Sequence, residues 1–151
     1  MCKLLLPRFM LLISLFASPL VYAVTNNEVT DWAQKVLMYT MSISYLTTPD
    51  EDKEAAKNFS HSAWESVNGF YFNESKIIKH YKLTLHPKPL NYPTLIKEDM
   101  CFGAPCWRIN QTYNIPELHL NVAFSLLITS QKTASKSPFI IKSLNMKVEH
   151  Y

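Results

Sequence analysis

Near Tyr81 the spacing of apolar residues changes from steps of three and four to steps of two. That change limits the chain to helices first and strands afterwards. Before it, Val29, Trp32, Ala33, Val36, Leu37, Thr40 and Ile43 recur on one face of a helix expected over about residues 27–44. Thr25-Asn26-Asn27-Glu28 forms a capping box ahead of that stripe. Thr48-Pro49-Asp50-Glu51 announces a second helix running to about Asn58. It has a capping hydroxyl, a proline suited to the first helical position and acids at the positive end of the dipole. Glu51, Asp52 and Glu54 alternate with Lys53 and Lys57 and read as a solvated face, not as paired carboxylates. A third helix is expected from about Ser62 to Phe70, with Ser60 or Ser62 as cap. Asn68-Gly69 is expected to stop it, with one further turn over Glu74–Lys79.

After the change, Tyr81, Leu83 and Leu85 alternate with Lys82, Thr84 and His86 and predict a strand. His86 to Pro93, HPKPLNYP, reads as a connection. Extended segments follow over Thr94–Met100 and Trp107–Tyr113. The clearest strand runs from Leu118 to Ile128, and a last one from Phe139 to Glu149, joined to it as an antiparallel hairpin. The class is α+β: three N-terminal helices packed on a curved antiparallel sheet that has one apolar face to bury.

The first 23 residues read as a secretory signal. Lys3 and Arg8 precede an apolar run from Phe9 to Ala17, Ser18-Pro19 breaks it, and Val21-Tyr22-Ala23 places small side chains where a signal peptidase reads. A retained anchor would need about 20 apolar residues, and Pro19 interrupts this shorter stretch. Cleavage is expected between Ala23 and Val24, leaving one domain, Val24–Tyr151, large enough for a single core. The formal charge of +3 then loses Lys3 and Arg8. A domain that close to neutrality has no general electrostatic reason to bind nucleic acid or an anionic membrane. The two glycines, Gly69 and Gly103, exclude glycine-rich phosphate loops.

Cys101 and Cys106, in CFGAPC, are expected to close a short disulfide loop in an exported protein. The spacing fits neither a redox C-x-x-C pair nor a zinc site. None of His61, His80, His86, His119 and His150 lies at metal-ligand spacing on one element. His80 and His86 would share a strand about 20 Å apart. No metal and no cofactor is implied. His119 is expected on the polar face of a strand, and no G-x-S-x-G, H-E-x-x-H or phosphate loop occurs.

Asp31-Trp32-Ala33, then Ser44-Tyr45-Leu46, then Phe59-Ser60-His61-Ser62-Ala63-Trp64 resemble, in that order, the DotI/IcmL family of type IVB secretion systems. There, a tryptophan-bearing helix leads into an aromatic linker, and a phenylalanine-to-tryptophan step joins two helices. The family's lysine-flanked strand corresponds to Lys79–Leu85, and its later tryptophan to Trp107. The family-motif residues are thus Trp32, Phe59, Trp64 and Trp107. Ala63 replaces the usual glycine before Trp64. A signal peptide stands where members usually retain a transmembrane helix, which implies a soluble periplasmic or exported relative. The resemblance implies a domain of nuclear-transport-factor-two-like, cystatin-like cone shape, with an assembly role and no enzymatic activity. The implied partners are protein subunits of a secretion or conjugation apparatus, or further copies of the chain. Tyr71, Phe72, Tyr92 and Phe102 are the candidate exposed aromatics for such contacts, although each singly also suits a core. The alternative is a small-ligand-binding or hydrolytic envelope protein, which would need polar groups, His86 or His119 among them, converging inside the cone.

Overall fold

A computed structural model describes residues 24–131 and 137–151. The expected signal segment, with Ala23, lies outside the described residues, as does most of the connection before Phe139.

Helix α1 (Asn26–Met41) begins at the expected capping box. Thr25 Oγ1 accepts the Glu28 N–H at 3.3 Å, and the Glu28 carboxylate accepts the Thr25 N–H at 2.7 Å. The helix ends at Met41, short of Ser44, because Ser42 leaves helical geometry and caps it with both its N–H and its hydroxyl on the Met38 carbonyl. Helix α2 (Pro49–Ala56) repeats the box with Thr48 and Glu51. Only Ala55 is buried on it, and its charges pair along the surface, Lys53 with Asp50 and Lys57 with Glu54.

Helix α3 (His61–His80) is a single helix of 20 residues capped by Ser60. Asn68-Gly69 does not stop it. Ala63, Val67, Phe70 and Ile78 continue one buried stripe through that point. Packing of this stripe outweighs the cost of about 1 kcal/mol for an internal glycine. The helix ends in a Schellman turn, where Leu83 N–H reaches the Ile78 carbonyl at 2.9 Å and Lys82 takes a positive φ of 50°. The predicted strand at Tyr81–Leu85 is therefore absent. Tyr81 caps the helix, and the segment touches extended chain only through one bridge, Thr84 with Ser44. His80 and His86 share no element.

The sheet is antiparallel, with long strands β3 (Ala104–Ile115), β4 (Leu120–Ser130) and β5 (Phe139–His150) side by side. Two pieces share the outer edge of β3. They are β1 (Lys88–Pro89), inside the stretch expected to be a connection, and β2 (Thr94–Cys101). Pro116–Leu118 forms a 3-10 turn instead of starting β4, as a proline with a fixed φ at the head of a turn favours. His119 then adopts a left-handed φ of 52°, so it caps that turn and is not part of a strand.

Alternation along β3 and β4 turns one row of each toward the helices. Trp107, Ile109, Tyr113 and Ile115 meet Val122, Phe124, Leu126 and Ile128 there in a buried cluster with the stripes of α1 and α3. The one polar member of the row, Gln111, is satisfied. It donates to Gln34 Oε1 at 3.1 Å and to the Asn91 carbonyl at 3.3 Å, and it accepts the Tyr113 hydroxyl at 2.7 Å. The helices are tied to β5 by main chain as well, with Ser60 N–H on the Ile141 carbonyl and Ile141 N–H on that of Asn58.

Candidate interaction surface and helix cleft

Strand β2 bonds to β3 on one side and leaves its other side open. Every residue on it except Leu95 and Cys101 is exposed. At its end Cys101 pairs with Ala104, so Phe102-Gly103 is a two-residue hairpin turn with both residues at positive φ, 52° and 76°. This is the geometry of a type I′ turn, in which asparagine or glycine normally occupies the first position. Phenylalanine there costs on the order of 1–2 kcal/mol of backbone strain. Its ring recovers nothing, because Phe102 is fully exposed at 101%. The Cys101–Cys106 disulfide holds the tip, with Cα atoms 5.6 Å apart. Met100 (63%) and Ile96 (53%) are exposed on the same strand. Between them stand Lys97, Glu98 and Asp99, the charged interruption that guards an edge strand against open-ended pairing. The Lys97 ammonium and the Met100 N–H hold the Asp99 carboxyl below its ordinary value. Further along the same edge, Tyr92 and Leu90 are exposed beside Asn91, whose side chain accepts the Thr112 N–H at 2.8 Å.

Of the four expected exposed aromatics, Phe72, Tyr92 and Phe102 are exposed. Tyr71 is half-buried, with its hydroxyl directed inward at Met41 Sδ, 3.9 Å away. Trp32, Phe59, Trp64 and Trp107 are packing residues. Trp32 and Trp107 both set their rings edge-on to Phe139, with centroids 5.3 and 5.6 Å away. The Trp107 indole N–H reaches Asn26 Oδ1 at 3.2 Å, and Phe59 lies against Trp64 at 5.5 Å. Through Phe139 and the Phe59–Ile141 bridge this cluster packs against the start of β5.

The histidines do not converge. His86 is exposed and shares a hydrogen bond of 2.8 Å with Glu117, while His119 is exposed against the Tyr151 ring. Burial raises the Glu117 carboxyl, but hydrogen bonds from its own backbone and from His86 prevail and leave it below its ordinary value. Among the described residues no three histidine, cysteine or acidic side chains stand together as metal ligands would. No helix there is long and apolar enough to cross a membrane.

A second feature lies among the helices. Two contiguous hollows, of about 150 and about 60 Å³, share Ile43, Thr47, Asp52 and Tyr71 in their walls. The smaller one adds Thr40, Ala55 and Trp64. Thr40 is 2% exposed, and its hydroxyl finds no hydrogen-bond partner among the described residues. Burial, reinforced by the neighbouring Glu51 carboxylate, holds the Asp52 carboxyl above its ordinary value. Burial and then the Asp52 charge push the Tyr71 hydroxyl up.

No protein-family model matches the sequence, and no curated protein does. Solved structures do match. The periplasmic domain of DotI superimposes with a TM-score of 0.70 at 18% identity, over 84% of this chain and 98% of that one. The chain has the fold of the DotI periplasmic domain. It is similarly close to an IcmL-like type IV secretion system protein from Legionella pneumophila subsp. pneumophila str. Philadelphia 1, with a TM-score of 0.68, 17% identity and coverage of 85% and 96%. A periplasmic fragment of TraM gives 0.71 at 12% identity, covering 83% and 98%.

On this DotI-like frame the sequence signals located the hairpin but missed the cleft. Thr40 was the one hydroxyl in the stripe of α1, and that was the available sign. Nothing local connects it to Asp52 of α2 and Tyr71 of α3.

Proposed function

We propose that this protein is a non-enzymatic interaction module of a type IV secretion or conjugation apparatus. It works in the periplasm once its signal segment has been removed between Ala23 and Val24. The fold shared with the DotI periplasmic domain and the IcmL-like secretion protein supports the apparatus, and the TraM fragment supports the extension to conjugation.

One observation carries the interaction role: a disulfide-held hairpin presents a strained, fully exposed phenylalanine with apolar neighbours. Strain with no local return is characteristic of a site used by another molecule. Burying a phenylalanine side chain in a partner contributes about 1.5–3 kcal/mol, the scale of an interface anchor. The alternative reading, a ligand-binding or hydrolytic cone, required polar groups on the covered face of the sheet. Apart from Gln111, whose amide is taken up by Gln34, Asn91 and Tyr113, apolar side chains fill that face, and His86 and His119 are exposed.

The test is crosslinking and affinity capture of the tagged protein from its own cell envelope, followed by mass spectrometry. Secretion-apparatus subunits are expected in the capture. They should be depleted when Phe102 is replaced, and the mature protein should begin at Val24. An exported protein that brings down nothing but itself would overturn the apparatus reading.

A further inference from the structure

The hairpin tip overhangs the sheet. Strand β4 pairs with β3 only from Cys106 onward, opposite Thr129. The rungs Met100–Pro105 and Cys101–Ala104, with the Phe102-Gly103 turn, therefore form a two-stranded ribbon with no third strand beside it among the described residues. Such a ribbon is marginal in water by itself. Its turn is unfavourable too. The left-handed φ at Phe102 disfavours it about five- to thirtyfold against relaxed conformations, and the exposed ring returns no packing. One covalent tie opposes this. The disulfide links Cys101, on the overhang, to Cys106, which is 2% exposed on the sheet proper. Closing a six-residue ring limits the alternatives open to the chain by about thirtyfold. The two effects are of the same order, so the bond decides the conformation of the tip.

We propose that the Cys101–Cys106 disulfide is a redox clamp on the tip: the oxidised chain presents Phe102, and reduction by a dithiol lets the turn relax and releases it. The regulatory meaning rests on the reading of Phe102 as the anchor of an interaction surface. The chemistry is thiol–disulfide exchange. A thiolate of the external dithiol attacks Sγ of Cys101, the less buried of the pair. The Sγ–Sγ bond breaks, and its electron pair leaves on Cys106. The second thiol of the dithiol then displaces Cys101 and closes a disulfide of its own. Two electrons pass to the protein, and the two protons of the dithiol end on Cys101 and Cys106. Phe102, Gly103 and Pro105 around the bond are all exposed, which opens it to a dithiol. The sheet keeps its own ties, since Trp107 and Ile109 of β3 pair with β4 and lie in the core. Reduction therefore alters the tip and spares the rest of the fold.

The test compares the purified mature protein, oxidised and after dithiothreitol, by nuclear Overhauser contacts between Cys101 and Ala104 across the turn. Reduction is expected to weaken them about fivefold or more, while contacts of Trp107 with Phe139 persist and report an intact core. Two variants separate the clamp from a general loss of order. Cys101→Ser with Cys106→Ala should resemble the reduced protein and ignore the reagent. Phe102→Asn relieves the strain, so its turn contacts should survive reduction. Turn contacts unchanged by reduction of the wild type would overturn the clamp, as would their equal loss from reduced Phe102→Asn. Envelope capture then compares the oxidised protein with the double cysteine variant. Apparatus subunits are expected at least about fivefold more abundant with the oxidised protein. Equal capture by both, with the turn relaxed in the variant, would overturn the switch. Capture by neither, with the Overhauser change intact, would overturn the interaction reading alone.

Discussion

Replacing Phe102 by asparagine separates the two roles of the hairpin tip. The left-handed φ of 52° costs an ordinary side chain on the order of 1–2 kcal/mol, and asparagine much less because its amide bonds locally. The lost ring costs no packing, since it is fully exposed. Asparagine at the first position and Gly103 at the second make the preferred type I′ pair. The net expectation is stabilisation of about 1 kcal/mol. With an unfolding entropy of about 2.1 cal/mol/K per residue over the mature chain, that raises the melting temperature by about 4 °C. Calorimetry of the oxidised protein measures it. Phe102→Ala is the control: it removes the ring but keeps a Cβ in the strained conformation, so stability should stay within about 0.5 kcal/mol. Both variants should lose the envelope partners. A melting temperature unchanged by asparagine would refute the strain. A raised melting temperature with undiminished capture would refute the tip as a contact.

Three further outcomes are expected. Gly69→Ala should stabilise the protein by about 1 kcal/mol in urea unfolding, because it removes a mid-helix glycine and its Cβ meets no atom within 4 Å. Removing the disulfide by Cys101→Ser with Cys106→Ala should cost about 2 kcal/mol, from the loop-closure entropy of a six-residue ring, and an unchanged urea midpoint would contradict it. Glu117 has a folded-state pKa below its ordinary 4.5, so its contribution is present above that value and is lost as pH falls through the folded one. Urea titrations across pH 3–7 (roughly the carboxylate range) should therefore show the gap between wild type and Glu117→Gln narrowing with acidification.

The caps, the disulfide and the long strands were legible because each is written within a few residues. Thr25 with Glu28 and Thr48 with Glu51 bond over three positions, and Cys101 and Cys106 close across a turn of two. The errors came where a distant partner decides. Gly69 reads locally as a stop, but the stripe from Ala63 to Ile78 has a core to bury, and the helix continues. Leu83 and Leu85 do alternate inward, yet a strand needs a ladder. Only Ser44 offers a bridge, so the segment remains a tether between α3 and the end of α1. The cleft was illegible for the same reason, since its three polar groups come from three helices.

The two sheet edges differ in a way that bears on how a partner would attach. The start of β5 is closed by the segment before α3, through the Phe59–Ile141 bridge and two main-chain hydrogen bonds. Among the described residues, the edge formed by β1 and β2 has no such cover. A register shift near Ile96 breaks its pairing, and three consecutive charges occupy its middle. Both devices disfavour simple addition of a foreign strand. The apolar groups stand beyond them, at the tip and along the exposed edge. Attachment through side chains inserted from this edge, led by Phe102, is therefore favoured over strand addition.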